Sequence, residues 1–284
     1  MNNNLFTNKI EKEEFICGNN IVRLCDELDI HFSKIDYWQQ EIALCASLGK
    51  SVFVTHQGDI PVTQEMVNSA PPQIKFWFAT NCRAESTKNC KVVGIPLGLN
   101  NVDDVICNAS RGGKYSSNFS HVAPFQENLV AARNFRVSSI EKGMAYCNFN
   151  VRTNFQARQR CLEYFLDKPF AVVESPNRTH LDYLKETLCY PFVISPPGNG
   201  DDCIRIWETL YLGKIPVVLR SPSMRFFEGL PIMFVDSWQE VTEDSLQQFY
   251  DEQEEKASKD LHDLDMITLS YWRQQLLEAK KETL

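Results

Sequence analysis

Apolar residues in this chain recur in short runs, each followed by a polar stretch rich in Gly, Pro or Asn and then by a segment of helical period. The first clear run, Ser51 to Thr55, reads as a buried strand. It ends in His56-Gln57-Gly58-Asp59-Ile60-Pro61, and Thr63 is placed to start a short helix. The same order of strand and polar loop returns at Lys75 to Ala79 with Thr80-Asn81-Cys82-Arg83, and at Lys91 to Ile95 with Pro96 to Asn100. Ahead of this series, residues 1–50 have a helical pattern. Ile21, Leu24, Cys25 and Leu28 share one face and Trp38, Ile42 and Cys45 another, which predicts two packing helices. Residues 101–124, including Arg111-Gly112-Gly113-Lys114, read as loop, and a helix over about 125–136 is expected to close this half.

The second half repeats the alternation more regularly. Expected strands at 144–149, 170–173, 192–194, 215–219 and 232–236 are separated by helical segments that begin near 154, 179 and 201. Thr242 has the position of an N-cap, and Ile267, Tyr271, Trp272 and Leu276 form the stripe of a final helix. Such alternation predicts an α/β protein with doubly wound parallel sheets carrying helices on both faces. A length of 284 residues suits two lobes. We expect them at 1–140 and 141–262, with 263–284 as a C-terminal helix returning to the first lobe.

Composition narrows the function classes. A formal charge of -8 disfavours a general nucleic-acid binder, so an anionic ligand would have to be held by local groups. The N-terminal stretch lacks the apolar core of a signal peptide, and no run reaches the length of a membrane span, so a soluble, unprocessed chain is expected. Ten scattered cysteines without zinc spacing read as reduced, buried thiols, and no metal site is expected. Asp263-Leu264-Asp265 reads as solvated charge in an amphipathic stretch.

The candidate chemistry centres on Ser195-Pro196-Pro197-Gly198-Asn199-Gly200-Asp201-Asp202, which joins an apolar strand to a helix ending at Gly213. Glycines let backbone approach a ligand, and a helix start offers free N–H groups and partial positive charge, so an anion belongs there. Neither GxGxxG nor GxxxxGK[ST] occurs, which disfavours a dehydrogenase and a P-loop kinase. Arg158 and Arg205 each lie near a helix start expected to face this loop, and two guanidiniums suit a diphosphate. Glu208, three residues after Arg205, suits sugar hydroxyls; the alternative for this pair is an ordinary surface ion pair. In the first lobe, Asp59 and His56 occupy a strand-end loop and are the candidates for a general base. Asp59 as a turn residue and His56 as a structural histidine are the alternatives. Arg83 either binds an acceptor or pairs with Glu85.

The run from Pro197 to Val218, with Arg205, Trp207-Glu208 and Gly213-Lys214-Ile215-Pro216-Val217, resembles the donor-binding segment of exostosin-like glycosyltransferases. The wider stretch Ser51 to Asp236, with Phe76-Trp77-Phe78-Ala79-Thr80-Asn81 and Ile95-Pro96-Leu97-Gly98-Leu99, is similar to compact members of that group from large viruses and microbes. The resemblance implies two Rossmann-like lobes in the GT-B arrangement and an inverting transfer of sugar, and the lack of a placed metal motif adds the expectation that neither cofactor nor metal is needed. It implies a nucleotide-sugar donor, with UDP-xylose the best choice, and a glycan or glycoprotein acceptor such as fucose; charge and hydropathy leave neither nucleic acid nor membrane as an expected partner. Arg158, Arg205 and Glu208 map to phosphate and ribose contacts, and Asn150 and Asn154 lie beside the diphosphate. Ser195, Gly198, Asn199, Gly200 and Asp201 complete the donor side, and Asn81 and Arg83 are assigned to the acceptor. The absence of an anchor and stem removes the Golgi setting of animal relatives, so a cytoplasmic site is expected, the host's for a viral chain. A non-catalytic nucleotide-sugar or glycan-binding protein, or a nucleotide-sugar epimerase or hydrolase, remains the alternative.

Overall fold

The structure is a computed structural model that describes residues 6, 10–100, 125–135 and 142–283. Residues 101–124, including Arg111 to Lys114, and the expected boundary near 140 lie outside the described residues. Two compact units divide the chain. One contains Glu13–Ala123, Pro222–Phe226 and Asp265–Leu284; the other contains Met1–Lys12, Pro124–Ser221 and Phe227–Leu264.

The first unit is built on a four-stranded parallel sheet. Its strands are β1 (His31–Lys34), β2 (Val52–His56), β3 (Phe76–Ala79) and β4 (Lys91–Gly94), in spatial order β1-β2-β3-β4. Every residue of β2 and β3 is buried, as strands covered on both faces require. Alternation sends Val52, Val54, Phe76 and Phe78 into one core with Ile21 and Leu24 of α1 (Gly18–Glu27). Phe53 and Trp77 enter the opposite core with Ile42 and Cys45 of α2 (Trp38–Ser47). Thr63 caps α3 (Gln64–Asn68) through its side chain. β1 departs from the expected two-helix start: His31-Phe32-Ser33-Lys34 has no apolar run, and as a sheet-edge strand it is held by backbone pairing to β2.

The second unit has a five-stranded parallel sheet of β5 (Ala145–Cys147), β6 (Ala171–Val173), β7 (Phe192–Ile194), β8 (Ile215–Leu219) and β9 (Met233–Val235). The order β6-β5-β7-β8-β9 means that the chain steps outward from β5 to β6 and then returns to the other side of β5. That reversal is a topological switch point, and it lies between β5 and β7. The four-stranded sheet runs in sequence order and has no such reversal among the described residues.

Helices α4 (Phe125–Arg133), α5 (Phe155–Phe165), α6 (His180–Thr187), α7 (Ile204–Tyr211) and α8 (Glu243–Ser258) belong to this unit. α4 was expected to close the first half. It instead packs against α6, burying Gln126, Leu129 and Ala132. The last helix, α9 (Leu269–Lys281), places Trp272, Leu276 and Ala279 in the core with Val52 and Phe76 of the four-stranded unit. Among the described residues no helix is long and apolar enough to cross a membrane. Eight of the nine described cysteines are buried.

Candidate functional site

The loops that follow β5 and β7 flank the switch point, and the sequence of each supplies hydrogen bonds that fix its turn. After β5, the Asn150 side chain accepts the Arg152 amide at 3.0 Å, and the Asn154 side chain accepts the Ala157 amide at 3.3 Å to cap α5. After β7, Gly198 donates its amide to the Gly200 carbonyl at 3.0 Å and closes a tight turn. Asn154 then joins the two loops, donating from Nδ2 to the Gly198 carbonyl at 2.8 Å.

Arg158, on the first turn of α5, spans the same gap. Its Nε–H donates to Pro197 O at 3.0 Å and Nη1–H to Asn150 O at 2.8 Å. A Cβ on Gly198 would stand 3.1 Å from Arg158 Nη2, so glycine is what lets the guanidinium lie along the loop. Ser195 is buried and donates its hydroxyl to Val193 O, while Asn199 is exposed at the loop tip and Asp201 is half-buried.

α7 begins at Ile204, with Cys203 at the N-cap and no side-chain cap. The start expected near 201 is not what forms. Asp202 Oδ1 instead accepts the indole N–H of fully buried Trp207 at 2.6 Å, folding the loop back over the helix start. At the other end Gly213 has φ of +71° and closes the helix with bonds from Gly213 N and Lys214 N, as expected.

Arg205 is set beside Arg158. The guanidinium carbons lie 5.7 and 5.9 Å from the centroid of the Phe149 ring, over which both are placed. Among the described residues neither arginine has an ion pair with a carboxylate, and Arg205 Nε is buried without a hydrogen-bond partner. The Tyr183 hydroxyl beside it is also buried, and its interaction with the guanidinium favours the charged arginine. Burial, and then the charge of Arg205, holds the Arg158 pKa below its usual value. For Arg205 burial acts downward, but Tyr183, Cys203 and Glu208 outweigh it and the net displacement is upward. Burial pushes the Tyr183 phenol and Cys203 thiol up, so both are uncharged at neutral pH.

Glu208 does not form the i,i+3 ion pair with Arg205 that spacing allows. Its Oε1 binds His180 Nε2 at 2.6 Å, and its side chain is nearly buried. Among the described residues, two cations therefore line the switch point without a carboxylate paired to them, an arrangement that is costly unless an anion completes it. Phe149, Tyr183 and His180 were not singled out from the sequence. The available signal was that His180 opens a helix after a strand-end loop; nothing local ties it to a residue 28 positions away.

The expected base and acceptor residues all lie in the four-stranded unit. His56 is buried, with Nε2–H donating to Pro96 O at 2.9 Å and Nδ1 accepting the Gln57 amide at 2.9 Å. Both nitrogens are committed to backbone, and burial lowers its pKa to about 4, so it holds the turn rather than offering a lone pair. That turn has Gln57 at φ of +59° and Gly58 packed so closely on Ile35 that a Cβ would approach to 2.4 Å. Asp59, which it presents, is exposed. Asn81 is buried at φ of +48° just after β3, and Arg83 is exposed. Glu85 pairs with Arg225 at 3.3 Å rather than with Arg83. Among the described residues no group of three or more His, Cys, Asp or Glu is placed to hold a metal ion.

In comparisons with known proteins, the chain matches no family model and no curated protein sequence.

Proposed function

We propose that this chain is an inverting nucleotide-sugar glycosyltransferase of GT-B architecture whose donor half is the switch-point site. The observation that carries the reading is the pair Arg158 and Arg205, two guanidiniums over one ring with no carboxylate partner among the described residues, at a glycine loop and helix start. A diphosphate is the anion whose two charges and spaced oxygens suit them. Glu208 accepts ribose hydroxyls through Oε2, and UDP-xylose remains the favoured donor on the resemblance given above.

In the proposed reaction an acceptor hydroxyl attacks the anomeric carbon, and the bond from that carbon to the diphosphate oxygen breaks in line. The diphosphate leaves with its charge stabilised by the two arginines and the helix start, without metal. The hydroxyl proton passes to Asp59, an exposed carboxylate on the turn that His56 braces. His56 itself has no nitrogen available for that role. A glycan or glycoprotein hydroxyl is the proposed acceptor, with Asn81 and Arg83 on its side.

Thermal shift with inorganic pyrophosphate, UDP, GDP and a panel of UDP- and GDP-sugars, followed by a donor-turnover assay, tests the reading. Stabilisation by UDP and its sugars, with turnover that survives EDTA, is expected. Donor binding without turnover on any acceptor favours a binding protein. Turnover with no acceptor favours a hydrolase or epimerase, and no response to any diphosphate refutes the site.

A further inference from the structure

Resting on that donor reading, we infer that His180 keeps the donor site cationic by holding the Glu208 carboxylate away from Arg205. Glu208 and Arg205 are three residues apart on α7, close enough that the carboxylate raises the arginine's pKa, yet they form no ion pair. The restraint is the 2.6 Å bond from His180 Nε2 to Glu208 Oε1. His180 is in turn fixed from α4: Asn128 Nδ2 reaches its Nδ1 at 3.3 Å, and the Phe125 ring meets the imidazole edge-on at 4.6 Å. With the Asn128 amide donating to Nδ1, the imidazole proton lies on Nε2 and points at Glu208. Oε1 is thus occupied, while Oε2 has no hydrogen bond among the described residues and stays available to hydroxyl donors. The side chains of His180 and Glu208 are only 14% and 9% exposed, so water is a poor substitute for this bond. Without it, rotation of Glu208 toward Arg205 forms the ion pair permitted by their spacing and neutralises the cation that faces phosphate. The docking of α4 on α6 is then part of the donor site, because it sets the imidazole.

Three variants and two probes test this. In the full chain, His180→Ala is expected to weaken inorganic pyrophosphate about tenfold or more, measured by calorimetry, because Glu208 now quenches Arg205. The double variant His180→Ala with Glu208→Gln is expected to regain pyrophosphate affinity, since the amide carries no charge, but to bind UDP about tenfold more weakly than the parent. His180→Gln, which keeps an N–H donor, is expected to stay within about threefold of the parent for both probes. Unchanged pyrophosphate affinity in His180→Ala overturns the inference. So does a loss that Glu208→Gln fails to restore, because general damage to the site is blind to the charge at 208. A parent protein that binds neither pyrophosphate nor UDP overturns the donor reading itself, and the inference with it.

Discussion

Replacing Arg205 by Met separates the cost of the site from its use. Among the described residues the buried Arg205 Nε–H has no partner, and such a donor costs about 1–3 kcal/mol. Arg205 also places a guanidinium beside that of Arg158, whose pKa is lowered partly by this repulsion. Opposing these, the contact of Arg205 with the Phe149 ring at 5.7 Å is lost. A partly desolvated cation–π contact contributes about 0.5–2 kcal/mol. Methionine keeps the aliphatic stem, so ligand-free stability is expected to lie within about 1 kcal/mol of the parent or above it. The ligand response should differ sharply. At a UDP concentration of 100 times Kd the parent gains about 2.7 kcal/mol, or about 5–10 °C in Tm for a chain of this size. Removing a guanidinium that makes two charge-assisted bonds, at about 1.5–3 kcal/mol each, weakens binding at least about a hundredfold. The gain at that concentration falls to about 0.4 kcal/mol, roughly 1 °C. Differential scanning fluorimetry with and without UDP reads both quantities. A variant that melts far below the parent without ligand, or that keeps the full UDP shift, refutes the claim that Arg205 is held uncompensated for an anion.

Three other perturbations probe separate parts of the molecule. The pKa of His56 drops from 6.5 to about 4 on burial, so between these values the unfolded chain binds the proton and the folded chain does not. Its contribution is fully present above pH 6.5, is lost as pH falls toward 4, and amounts to about 3 kcal/mol. Urea midpoints at pH 7 and 4.5 should show a shallower loss in His56→Gln than in the parent, and identical slopes would refute it. Gly198→Ala puts a methyl 3.1 Å from Arg158 Nη2, whose guanidinium is tied to Pro197 and Asn150 and has little room to yield. UDP affinity should fall about tenfold with a Tm change of only about 2 °C, and unaltered affinity would show that the guanidinium does not need this approach. Asp59→Asn should lower kcat at least about a hundredfold while leaving the UDP dissociation constant unchanged; a fully active variant removes Asp59 as the base.

The strands of the five-stranded unit were legible because buried parallel strands need continuous apolar runs, and Phe192-Val193-Ile194 and Ile215-Pro216-Val217-Val218-Leu219 are such runs. β1 was not, because a sheet-edge strand can be held by backbone bonds alone and His31-Phe32-Ser33-Lys34 carries no apolar signal. Amphipathicity in α4 announces that one face is buried without naming the surface that buries it, which is how its packing on α6 escaped. The start of α7 was placed three residues early for a related reason. An aspartate before a helix has the chemistry of a cap, but Asp202 found the Trp207 indole instead.

The loop of the candidate site and the presence of a helix after it could be read from Gly198, Gly200 and the helical period that follows, because those depend on local backbone preference. Its electrostatics could not. Arg205 and Glu208 at i and i+3 are equally consistent with a self-neutralised surface pair and with an exposed cation beside a separate acceptor. Which one forms is decided by whether a third residue engages the carboxylate. His180 does so from another helix, and its orientation depends on Asn128 and Phe125 on yet another. The formal charge of -8 is silent on this point, since it counts Glu208 against Arg205 regardless of which neighbour the carboxylate faces. A cationic site in an acidic chain therefore requires sequestration of nearby carboxylates as much as placement of arginines.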